Sequence, residues 1–141
     1  MAAGEPVSGA ERALEGAIMD LLAMDAEVAD LLGDPLRVME LGGPRPAFPY
    51  LEVVRHQSEP TGSVGVEASE HRVDIAVVSR DVGGMQAKEA MAAVRVALSG
   101  ERPEMEDWTC VLLFPMFADI VRQASGHWRA LLRLKAVVEA A

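Results

Sequence analysis

The run "HRVDIAVVSR", His71 to Arg80, constrains this chain more than any other stretch: Val73, Ile75 and Val77 fall on one side at every second position, with Arg72 and Asp74 on the other. Such alternation fits a strand whose sheet is buried on one face only. A one-sided sheet needs a cover, and the chain supplies one directly downstream. After the break at "DVGG", Ala87, Met91, Val94 and Leu98 are spaced four, three and four, which is the apolar stripe of a helix from Met85 to Leu98, closed by Gly100.

Upstream, Ser8 and Glu11 have the form of a capping box, followed by Leu14, Ile18, Leu21 and Leu22 at helical spacing. Asp25 can cap a second, short helix carrying Val28, Leu31 and Leu32, which Gly33 and Pro35 end. "LRVMEL" (36 to 41) is a short strand candidate, "GGPRPAFP" is an irregular connection, and a strand opens at Tyr50. In the last third, "WTCVLLF" and "MFADIVRQ" suggest two strands, and "SGH" supplies a turn. The closing "WRALLRLKAVV" sets Trp128, Ala130, Leu132, Leu134, Ala136 and Val138 opposite Arg129, Arg133 and Lys135; the split favours a strand, with a helix as the alternative.

This order predicts an α+β domain, a largely antiparallel sheet with helices packed on one face. A length of 141 residues suits a single domain over 1–141, with residues 1–10 expected to be flexible. The segment 57–69, within "HQSEPTGSVGVEASEH", is far longer than a hairpin needs, so it is expected to protrude as a loop or hairpin. With few large apolar groups of its own, it should reach a neighbour through Glu59, Thr61, Val64, Val66 and Glu67.

Charge and composition narrow the function. A net charge of −9 argues against a grip on nucleic acid built on neutralised phosphates. The distribution is uneven: residues 1 to 34 carry eight acidic groups against Arg12 alone, whereas the last strand carries Arg129, Arg133 and Lys135. That asymmetry suits solvated faces, or complementary charge between neighbouring subunits. No apolar run is long enough to span a bilayer, and "MAAGEPVSGAE" lacks the pattern of a secretory signal, so a cytoplasmic site of synthesis and no membrane partner are expected. Cys110, the only cysteine, reads as a core residue. No phosphate loop, nucleophile elbow, HExxH or CxxC is present, and His56, His71 and His127 are expected to be solvated, since a metal between the first two would lack a third ligand. Neither an enzyme activity nor a cofactor is expected.

The ordered set "DAEVADLLGDPLRVMEL" (25 to 41), "PAFPYLEVV" (46 to 54), "EHRVDIAVVSRDVGGMQAKEAMAAVRVAL" (70 to 98) and "SGHWRALLRLKAVV" (125 to 138) resembles the tail terminators, small tail-completion proteins of long-tailed phages and phage-derived gene transfer agents. The chain departs from their common form in its long acidic start and at Val78 and Ser79, where many members carry an aromatic residue. The resemblance implies a structural subunit at the tail-neck junction of a phage or phage-like particle. It would form a ring, most commonly hexameric, that caps the tail tube, ends its polymerisation and offers the head-joining surface. Implied partners are further copies of the chain, the major tail tube protein and neck or connector proteins, with DNA passing through the channel without specific binding. The alternatives are a head-tail connector or stopper of the neck and, from another class, a small ligand-binding module or enzyme.

Overall fold

A computed structural model describes residues 5–40, 42–62, 65 and 67–141. The elements run α1 (Glu5–Ala23), α2 (Ala26–Leu32), β1 (Val38–Met39), β2 (Tyr50–Pro60), β3 (Ala68–Ser79), α3 (Met85–Leu98), β4 (Trp108–Arg122) and β5 (Trp128–Ala140). One five-stranded sheet has the order β1-β2-β3-β5-β4, antiparallel throughout except for the two-residue pairing of β1 with β2.

The alternation seen in the sequence is the packing. Val73, Ile75 and Val77 of β3, and Ala130, Leu132, Leu134, Ala136 and Val138 of β5, are buried on one face. They pack there with Leu14, Ile18 and Leu22 of α1 and Ala87, Met91, Val94 and Leu98 of α3. The closing segment is a strand, because its apolar residues recur at two and not at 3.6. Asp25 accepts from the backbone N–H groups of Glu27 and Val28 at 3.0 Å each and caps α2 as expected.

Three expectations change. α1 starts at Glu5, so Ser8 lies inside the helix rather than at its cap; of residues 1–10, 1–4 lie outside the described residues and 5–10 belong to α1. "WTCVLLF" and "MFADIVRQ" form one strand, β4, because two irregularities, at Cys110/Leu112 and Pro115/Phe117, absorb the break in alternation. A proline fits there because β4 is an edge strand. The segment 57–69 belongs to the β2–β3 hairpin, the second of its two expected forms: Gln57 pairs with Arg72, Ser58 with His71 and Pro60 with Ser69. Finally, His71 is fully buried, and His56 is largely so.

Candidate assembly surface

Among the described residues β4 is an edge strand of the sheet, and α1 and α3 both contact it. There Cys110 and Leu113 are buried. Burial raises the pKa of the Cys110 thiol, as in a core cysteine. Elsewhere on the strand Val111, Leu112, Phe114, Met116, Phe117, Ile120 and Val121 are exposed, Phe117 and Val121 by 48% each. The register explains why no single face hides them. Ile120 stands opposite Ala130 on the helix side, whereas Leu112, Phe114, Phe117 and Val121 stand opposite Val137, Lys135, Arg133 and Arg129 on the bare side. An edge strand that is apolar on both faces is what soluble monomers avoid.

The bare face of the sheet is a ladder of ion pairs. Arg133 donates to both carboxylate oxygens of Asp74, at 2.8 and 3.1 Å, and its guanidinium lies 5.4 Å from the centre of the Phe117 ring. The hydrogen bonds and charge of Asp74 push the Arg133 pKa up. Arg129 meets Glu52 at 2.5 Å, and Lys135 meets Glu70 at 3.7 Å. The three basic groups read from the sequence as an interface are thus brought together on one face, each engaged with a carboxylate of its own sheet. Their partners come from β2 and β3, and strand order decides that pairing, so composition of the last strand could not reveal it.

Of the other expected interface residues, Glu59, Thr61 and Glu67 are exposed at the end of the β2–β3 hairpin, and Val64 and Val66 lie outside the described residues. The hairpin end is tied down: Thr61 N–H donates to Ala68 at 3.0 Å, and Ala140 N–H donates to Glu67 at 2.9 Å.

Behind the hairpin runs a polar chain that the sequence did not suggest. Glu15 Oε2 lies 2.7 Å from His56 Nδ1, His56 Nε2 lies 2.7 Å from His71 Nδ1, and His71 Nε2 lies 2.7 Å from Ser69 Oγ. Ser58 donates to Glu11 beside it at 2.5 Å. Burial, with the neighbouring His56 ring, lowers the His71 pKa to about 4. Ser69 is 3% exposed, so the chain ends on a buried hydroxyl; at its other end Glu15 and His56 border an open groove, and the chain links α1 to the hairpin. Among the described residues no three His, Cys, Asp or Glu side chains are placed to share a metal ion.

On the outer side of β2, β1 covers only Leu51 and Glu52. Beyond it, among the described residues, no strand pairs with the outer edge of β2 from Val53 to Pro60. A groove of about 770 Å³ opens here between α1 and the strand, with Met19, Val38, Val53 and Val54 among its walls.

Comparison with known proteins agrees with this architecture. Residues 16–139 match the family model described as Tail completion protein gp17. A solved chain from a structure titled "Virion of native gene transfer agent (GTA) particle" is similar, with 27% sequence identity, a TM-score of 0.81, and coverage of 91% of this chain and 96% of that one. No curated protein matches the sequence.

Proposed function

The chain belongs to the Tail completion protein gp17 family, and on that premise we propose that it is a structural subunit of a phage or gene-transfer-agent particle that closes into a ring on the tail tube. The ring ends polymerisation of the tube and presents the surface that joins the head. Six copies is the number implied by the resemblance to tail terminators. The subunit works by binding and not by catalysis. Its partners are its own copies, the major tail tube protein on one side and neck proteins on the other.

The observation that carries this reading is β4, an edge strand among the described residues, with seven large apolar side chains exposed along it. Such a surface is stable in water only when something covers it, and heterologous contacts that close generate rings. DNA crosses the channel without specific binding: on the bare face Arg129, Arg133 and Lys135 are paired with Glu52, Asp74 and Glu70, and a net charge of −9 disfavours a grip on phosphates.

Removing the protein from a producing strain tests this. Tails of uncontrolled length and heads without tails are expected, with both defects repaired when the protein is supplied again. Joined tails of normal length would contradict the reading.

A further inference from the structure

We propose that one copy meets the next by strand pairing, the free edge of β4 lying against the outer edge of β2, so that the five-stranded sheets run on into one another. The inference rests on the ring reading and names the contact that closes it.

Among the described residues the sheet is open at both ends: β4 has no strand outside it, and β1 leaves Val53–Pro60 of β2 without a strand partner on its outer side. A head-to-tail contact must join unlike surfaces, and the unlike partner that offers free backbone groups to β4 is this second edge. The topology also gives the pairing its direction. β2 runs antiparallel to β3, β3 to β5 and β5 to β4, so β4 and β2 point in opposite directions within one subunit. Rotation about an axis along the strands leaves those directions unchanged. β4 of one copy therefore meets β2 of the next antiparallel, in the ladder that two-stranded contacts favour. The same rotation keeps every helix layer on one side and every ion-paired face on the other.

Height matches as well. Through the existing register, Phe114 stands level with Lys135, Arg72 and Gln57 in one row across the sheet, so the first half of β4 and the free part of β2 lie at the same level. The five exposed apolar side chains of β4 at that level, Val111, Leu112, Phe114, Met116 and Phe117, offer roughly 400 Å², about half of the ~800 Å² per side of a standard interface. Across the junction, the groove beside β2 offers Met19, Val38, Val53 and Val54 between charged walls at Glu15, Glu40 and Arg55.

Cysteine pairs in a Cys110→Ala background test the contact in assembled particles. Gln57→Cys would be combined with Leu112→Cys, Phe114→Cys or Phe117→Cys, oxidised mildly and run on non-reducing gels, with the ring followed in the same particles by electron microscopy. The expected result is a ladder of covalent oligomers from at least one pair and none from any single cysteine. A covalent dimer from a β4 cysteine alone would show β4 meeting β4, and would overturn the proposal. A ring without cross-links would overturn the edge contact and leave the ring standing; the absence of a ring would overturn both. Hydrogen exchange on the unmodified protein gives a second reading, independent of whether the variants fold. The amides of β4 should gain at least tenfold protection on assembly, and unchanged exchange there would refute the contact.

Discussion

His56 and His71 share a hydrogen bond of 2.7 Å in the middle of a chain from Glu15 to Ser69. The Glu15 carboxylate only accepts, so His56 Nδ1 carries a proton towards it. With His71 neutral, its two ring nitrogens, one donor and one acceptor, are both engaged, by His56 and by Ser69.

Acid should therefore weaken the fold. The pKa of His71 falls from an ordinary 6.5 to about 4 in the folded chain, so the unfolded chain binds the extra proton first as pH drops. Stability is fully present above about pH 6.5 and is lost progressively down to about pH 4, by on the order of 3 kcal/mol, since each unit is worth about 1.4 kcal/mol. Glu11, Glu15 and His56 are the titratable groups facing it. Melting temperatures followed between these pH values check this, and His71→Leu should flatten the slope over the same window.

Trimming the hairpin should separate two kinds of residue. Replacing 61–67 by an Asn-Gly turn keeps the paired stem, and loop closure changes by only ~0.6 kcal/mol per halving of length, so the melting temperature should stay near the parent's. Any loss of assembly would then report a contact made by the tip. Replacing 57–69 should cost far more, because it removes Ser58 and Ser69 and exposes His71. Equal stability of the two variants, measured by denaturant unfolding, would contradict the account of the polar chain.

The alternation of β3 and β5, the stripe of α3 and the Asp25 cap were legible because local spacing alone determines them. The polar chain was not. Leu51 and Val53 face the helices, so unbroken alternation would turn His56 to the bare side. The irregularity between Val53 and Arg55 inserts one residue and brings His56 and Ser58 onto the helix side, next to a glutamate 41 residues earlier. Exposure of β4 was hidden for another reason: "WTCVLLF" has the same apolar run whether its own helices or another subunit cover it.

Gly84 should resist substitution. It adopts φ +73°, and an added Cβ would stand 2.6 Å from Cδ2 of Trp128, whose indole N–H donates to the Val82 carbonyl at 3.3 Å. Gly84→Ala should lose about 1–3 kcal/mol from the left-handed backbone and the displaced ring. Denaturant unfolding reads the loss, and tryptophan fluorescence should report the moved indole. An unchanged midpoint would contradict this packing.

Phe117→Ser should behave in the opposite way. Its ring is 48% exposed, and the Arg133 guanidinium lies 5.4 Å from its centre, so the free subunit should lose only about 1 kcal/mol. Incorporation into particles should fall at least tenfold. Full incorporation, measured by quantitative blotting against a capsid protein, would remove β4 from the assembly surface.

Cryo-electron microscopy of purified particles, focused on the head-proximal end of the tail, decides whether this chain ends the tail tube as a closed ring. The predicted map shows one ring of six subunits on the last tube ring, with the helices outward and the Glu52–Arg129, Asp74–Arg133 and Glu70–Lys135 face towards the channel. A single copy, an open filament, or a tube end without this subunit would contradict it.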